Sequence, residues 1–355
     1  MKTASNNGNP QVKKSAVKLL MMTALMAFII ISYTGCGDDT PVSKSDFCLD
    51  TSCEIRIYDD MDEAEAEALL DEAFDLIRSH EAVLSKTVED SDVSKINDAA
   101  GQWAEVSEET VEVIRMAHEI SSMSSGAFDI TVGEITGMWD FKSEKPKVPP
   151  AADIEAALPH VGYEKIDVQG ESVRLEDPDM HIDLGGIAKG YIADRVCDFF
   201  GDRGVESAVV NLGGNVAVIG EKDGGEPWVI GIERPFADRK EMVGTIQARD
   251  ATVVTSGIYE RNFSLDGRIY HHILNPATGY PAETDLDAVT ITAKRGNSGF
   301  CDAVSTACLV LGRDRAMELV AALQEKYGDK GIEAAFIDNN GDIVQTDGMD
   351  IDFSE

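Results

Sequence analysis

Positive charge is scarce in this 355-residue chain: 31 lysines and arginines stand against 65 acidic residues, a net charge of −34 at pH 7. No basic patch is available to release the counterions of a polynucleotide, so nucleic acid is excluded as a partner. The acidic residues spread over stretches such as 59–75 and over an Asp-rich C-terminal end, the pattern of a solvated surface. Thiolate metal spacing is missing too. The six cysteines form no Cys-x-x-Cys or Cys/His arrangement, which disfavours zinc. Cys48 and Cys53 could pair in an exported protein, whereas Cys197, Cys301 and Cys308 lie in apolar helical contexts that favour buried structural thiols. There is no internal repeat, and the apolar run 19–31 is too short to span a bilayer comfortably.

That run instead belongs to a leader. Residues 1–35 carry Lys2, Lys13, Lys14 and Lys18 and no acid, followed by the apolar stretch and then Thr34-Gly35-Cys36, the layout of a secretory signal. A cysteine after small residues looks like a bacterial lipobox, although Tyr33 stands where a leucine is usual. The expectation is acylation at Cys36, which makes the protein an exported lipoprotein on the periplasmic or extracellular face of the cell membrane. Acyl chains contribute roughly 0.8 kcal/mol per buried CH₂, enough to anchor a multiply acylated protein. Loss of the leader removes four lysines and takes the net charge from −34 to −38. The remaining 320 residues suffice for one large domain or two intimately packed lobes. We divide them into a polar tether at 36–46, a domain at 47–345 and an acidic tail at 346–355.

Along the domain, residues 54–58 alternate like a strand, and 61–84 and 110–122 place apolar residues on one helical face. Residues 142–150 read as a Lys/Pro linker and 165–175 as a hairpin turning at Gly170-Glu171. Strands are predicted at 228–232, 242–247, 251–255, 268–273 and 286–292, helices at 302–311 and 314–327, and a closing hairpin at 331–343. Antiparallel-type strands mixed with packed helices predict an α+β fold.

Chemistry concentrates in a few segments. Met-His-Ile-Asp-Leu-Gly-Gly-Ile-Ala-Lys-Gly-Tyr (180–191) reads as a buried strand running through a diglycine turn into a helix at Lys189, a layout that offers backbone N–H groups to a phosphate. By itself it is equally a packing turn. Downstream come Asn211-Leu-Gly-Gly-Asn215, then Tyr270-His-His-Ile-Leu-Asn-Pro-Ala-Thr-Gly279, then Cys301-Asp-Ala-Val-Ser-Thr306; upstream lie Gly126-Ala-Phe-Asp-Ile-Thr-Val-Gly133 and Trp139. Asp302 and Thr306, at i and i+4, put both oxygens on one helix face, as a hard cation needs, though an aspartate opening a helix is also a common N-cap. An ordinary imidazole titrates near neutrality, so His272 suits a general base; His271 is the competing candidate, and a structural histidine is the plain alternative.

Five such motifs in this order, over roughly residues 47–345, closely resemble the ApbE family of FAD-dependent FMN:protein transferases. The resemblance implies a T-fold-related domain of mixed sheets with packed helices. It implies Mg²⁺ held by Asp302, Thr306 and a diglycine-turn carbonyl, Gly186 or a neighbour. It places FAD against Leu49, Ala127, Phe128, Asp129, Asp183, Lys189, His272 and Ile273. Lys189 would face the pyrophosphate, Asp129 an imide or ribose edge, and Asp183 would either bind the adenosine part or orient Lys189. Catalysis would rest on Asp302 and His272. The implied partners are exported acceptors carrying an Asp-Gly-Ala-Thr-type segment, such as subunits of redox complexes and flavin-carrying reductase domains. Leu49-Asp50-Thr51 replaces the Met-Gly-Thr of many relatives, and Ser85-Lys86-Thr87 lacks an aromatic that many place there. Two other activities stay open at this level: an Mg²⁺-dependent FAD pyrophosphatase giving FMN and AMP, and a non-catalytic FAD-binding lipoprotein.

Overall fold

Alternating apolar strands build one long antiparallel sheet, and both of its faces are covered. The computed structural model describes residues 41–141, 143, 145–237 and 241–353; the leader and Cys36 lie outside them. The large sheet contains β1 (Val42–Cys48), β2 (Thr51–Ile57), β6 (Ala208–Leu212), β7 (Asn215–Ile219), β10 (Ala251–Gly257), β13 (Leu286–Lys294), β14 (Glu333–Asp338) and β15 (Ile343–Gln345), in that spatial order. Three small sheets complete the strands: β3 (Ala104–Glu105) with β5 (Ser172–Leu175) and β4 (Ile166–Gln169); β8 (Trp228–Glu233) with β9 (Met242–Ala248) and β16 (Ile351–Asp352); and the ribbon of β11 (Asn262–Leu265) and β12 (Arg268–His271).

The helices are α1 (Glu63–Leu84), α2 (Asp92–Asp98), α3 (Glu108–Met123), α4 (Gly133–Met138), α5 (Ala151–Ala157), α6 (Ala188–Asp202), α7 (Ser298–Leu311) and α8 (Arg313–Lys326). Helices α1, α3, α6 and α7 bury their apolar faces on one side of the large sheet, around Phe74, Ile114, Ile192, Val304 and Leu309. The β8–β9–β16 sheet closes the other side around Trp228, Ile246, Val218 and Ile337. A third, aromatic cluster of Trp139, Phe263, Leu274 and Ile154 lies beneath the ribbon. The α+β expectation holds.

Several boundaries move. Part of the expected tether is β1, paired with β2 from Val42↔Ile57 to Cys48↔Thr51. Its polar sequence conceals the strand, because Lys44 and Asp46 face α1 and pair there with Asp71 and Arg78. The acidic tail is likewise not free: Met349 and Ile351 are buried under β9, and Ile351 pairs with Ile246. Cys48 and Cys53 are free thiols, with Cys53 Sγ 3.6 Å from the Cys48 carbonyl oxygen. The strand expected at 180–184 is reduced to a single bridge between Val132 and His181. Its backbone groups are met locally instead. Asn97 bonds both the N–H and the carbonyl of Ile182, and the Asp183 N–H donates to Ile130.

Candidate active site

Among the described residues, a cleft of about 1140 Å³ opens where the diglycine turns, the residues that flank the ribbon and α7 converge. Every site residue expected from the sequence within the described residues lines it: Leu49, Ala127, Phe128, Asp129, Asp183, Gly186, Lys189, His272, Ile273, Asp302 and Thr306. They come from segments spread across more than 250 positions of the chain.

Asp302 sits in the second turn of α7, since that helix starts at Ser298, so the N-cap reading is removed. Capping falls to Asp194 on α6, whose carboxylate accepts the N–H groups of Ser298 (2.9 Å) and Gly299 (3.0 Å). Helices α6 and α7 approach closely because Gly190 has no side chain; a Cβ there would collide with the Ser298 carbonyl. The approach lets the Gly190 N–H donate to Asp302 Oδ2 at 3.1 Å, and Lys189 Nζ lies 3.3 Å from the same oxygen. In a regular helix Gly190 would donate to the Gly186 carbonyl. Its turn toward Asp302 leaves that carbonyl without a hydrogen bond among the described residues. Thr306 Oγ1 is likewise without a partner there, and an atom built on Gly186 would be 3.7 Å from it. A 2%-exposed carboxylate, an unpartnered hydroxyl and a freed carbonyl form an oxygen-only donor set that fits a hard divalent cation. The expectation that the N–H groups of the new helix face a phosphate is corrected in part. Those of Ala188 and Gly190 are already used, by Leu184 and Asp302.

Asp183 does not orient Lys189. Its Oδ1 accepts the Gly185 N–H at 2.8 Å, while Oδ2 meets Thr136 Oγ1 at 2.7 Å and Lys86 Nζ at 3.0 Å. Burial acts to raise its pKa, but Lys86 and these hydrogen bonds outweigh that and hold the carboxyl below the usual range. Asp183 thus fixes the diglycine turn. Asp129 also turns inward, accepting from Thr131 N–H and Oγ1 and from the Tyr163 N–H, so its side chain shapes the loop. The loop presents Ala127 and Phe128 to the cleft.

The two histidines separate cleanly. His271 is buried away from the cleft, with Nε2 3.1 Å from the Ala282 carbonyl. His272 lines the cleft, and its buried Nδ1 has no hydrogen-bond partner. Burial, reinforced by Arg261 and Lys189, pushes its pKa down to about 3, so the imidazole is neutral at physiological pH. Lys86, Asp194 and Glu260 carried no sequence signal as site residues. Glu260 faces the open cleft on one side, yet desolvation pushes its carboxyl up to about 7; Lys189 and Arg261 pull it down and Asp302 works against them. Among the described residues the cleft wall carries eight acidic side chains and four basic ones.

The comparisons with known proteins agree with this geometry. Residues 49–345 match the model of the ApbE family. A Klebsiella pneumoniae protein named FAD:protein FMN transferase is 38% identical over 291 residues, covering 81% of this chain and 88% of that protein. A Treponema pallidum protein of the same name is 32% identical, with coverage of 88% and 90%. Among solved structures, the ApbE protein of Thermotoga maritima superposes with a TM-score of 0.77 at 35% identity, covering 87% of this chain and 97% of that one. The flavin transferase ApbE of Vibrio cholerae gives 0.74 at 26% identity, covering 86% and 96%. With this fold, this cleft and these matches, the chain belongs to the ApbE family.

Proposed function

We propose that this enzyme transfers FMN from FAD to a threonine or serine hydroxyl of an acceptor flavoprotein and releases AMP. The observation that carries the reading is the meeting, in one cleft, of the oxygen-only donor set, Lys189 and a neutral His272. Asp302, Thr306 and the Gly186 carbonyl would hold Mg²⁺, which when bound supplies charge neutralisation to a pyrophosphate. Lys189 adds a point charge beside it. His272 accepts the proton of the incoming hydroxyl as its oxygen bonds the FMN phosphorus, and the bond from that phosphorus to the AMP oxygen breaks. Leu49, Phe128 and Ile273 offer apolar surface to the flavin. No covalent enzyme intermediate is required.

The leader supports a second part of the reading: acylation at Cys36 tethers the enzyme to the outer face of the cell membrane, where exported acceptors meet it. The test combines the soluble domain with FAD, Mg²⁺ and an acceptor domain carrying an Asp-Gly-Ala-Thr segment, followed by intact-mass analysis. A gain of one FMN on the acceptor, lost with chelator, is expected. Free FMN and AMP without labelling would replace transferase by pyrophosphatase, and unchanged FAD would leave a binding protein. Cys36→Ala should release active enzyme from membranes; continued anchoring would remove the lipid assignment.

A further inference from the structure

We propose that the acceptor protein docks by adding a strand to the outer edge of β11, the first strand of the ribbon that leads into His272. Asp266 and Gly267 form its two-residue turn with φ of 53° and 79°. That turn makes Leu265 and Arg268, then Phe263 and Tyr270, the hydrogen-bonded pairs of the ladder. The backbone N–H and carbonyl groups of Asn262 and Ser264 therefore point away from β12, and no backbone partner meets them among the described residues. The outer side of β12 is different. The chain at 282–283 runs beside it, with the Ala282 N–H on the Ile273 carbonyl and Glu283 on Arg268.

Exposed edges in native proteins are ordinarily blunted by proline, by charge or by a covering segment. β11 reads Asn-Phe-Ser-Leu, with neither proline nor charge, and among the described residues no strand pairs with its outer edge. Leu265 is 40% exposed and Ile269 on the neighbouring strand 44%, among the few large apolar side chains in the described residues left open to solvent. One face of the ribbon continues the aromatic cluster: Phe263 lies 5.9 Å from Phe141 and 6.5 Å from Trp139, and those two rings line the cleft. The occupant follows from this continuity. A strand laid along β11 runs toward Glu260 and Arg261 at the cleft wall, where a hydroxyl on an extended backbone can reach His272. Main-chain pairing reads no side chains, which suits one enzyme acting on several acceptor proteins.

The inference rests on the transferase reading, and flavinylation of the unaltered acceptor by the wild-type enzyme, assayed in parallel, separates failure of that reading from failure of the docking. Hydrogen exchange is measured on the full protein with and without an acceptor domain whose target threonine is replaced by valine. The Asn262 and Ser264 amides should slow markedly on binding; unchanged exchange there overturns the proposal. In kinetics, Ser264→Pro removes an outward N–H, and the acceptor KM should rise about tenfold, the worth of roughly one hydrogen bond, with FAD affinity unchanged. Ser264→Ala should behave as wild type. Should the proline unfold the ribbon, seen as fast exchange at Tyr270, Leu265→Asp on the open surface gives the same readout. An unchanged acceptor KM in folded Ser264→Pro or in Leu265→Asp also overturns the proposal.

Discussion

His271 and His272 are neighbours in sequence and opposites in environment, and the difference lies in a single residue's placement. The first gives its Nε2 to the Ala282 carbonyl; the second lines the cleft with a pKa pushed down to about 3. His272→Ala should lower the transfer rate by about 10²–10⁴-fold, the range for losing a general base, while FAD still binds. His271→Ala should lower thermal stability and leave the rate per folded enzyme nearly intact. Equal rate losses in both variants, measured by acceptor labelling, would refute the assignment. The family resemblance had favoured His272 without excluding its neighbour, because nothing in the sequence shows which of two adjacent imidazoles a distant carbonyl will hold. Asp183 is the reverse case: its position was legible and its partner was not, since Lys86 is almost a hundred residues away.

At the scale of elements, α7 carries the metal-type residues and depends on α6 for its start. Asn297, just before α7, makes no side-chain cap bond, so Asp194 caps the helix from outside it. Burial raises the Asp194 pKa to about 6, outweighing the two N–H groups it accepts. Because the folded pKa exceeds the ordinary value of 3.8, the protonated carboxyl favours the fold. That contribution is complete below pH 3.8 and lost as pH rises through about 6, a change of about 3 kcal/mol. The stability of wild type relative to Asp194→Asn, from urea unfolding, should therefore fall between pH 4 and pH 7; a flat difference would reject it. Long helices such as α1 were readable from apolar spacing, as was the β4–β5 hairpin with Gly170 at φ 61°. β1 and the tail strand were not, because the charged side chains of β1 find their partners on α1 and the short tail strand finds its backbone partner on distant β9.

Over the whole molecule, a strongly acidic protein must admit an anionic dinucleotide into a cleft whose wall carries eight acids against four bases. Like charges at such distances oppose binding unless a cation intervenes. FAD affinity, followed by flavin fluorescence, should fall by about tenfold or more on chelation and recover with Mg²⁺ rather than with added sodium chloride. Affinity insensitive to chelator would remove the metal from the binding step. The sequence by itself determined the α+β class, the order of the motifs and the residue types that meet in the cleft, because apolar period and glycine turns are local properties. Only the tertiary structure decided which histidine faces the substrate, that Asp302 stands inside its helix rather than capping it, and that Gly190 leaves the Gly186 carbonyl free. The histidines are sorted by the Ala282 carbonyl, which lies beside the ribbon and holds His271, and the freed carbonyl depends on how closely α6 and α7 approach; contact between distant segments has no signature in either one alone.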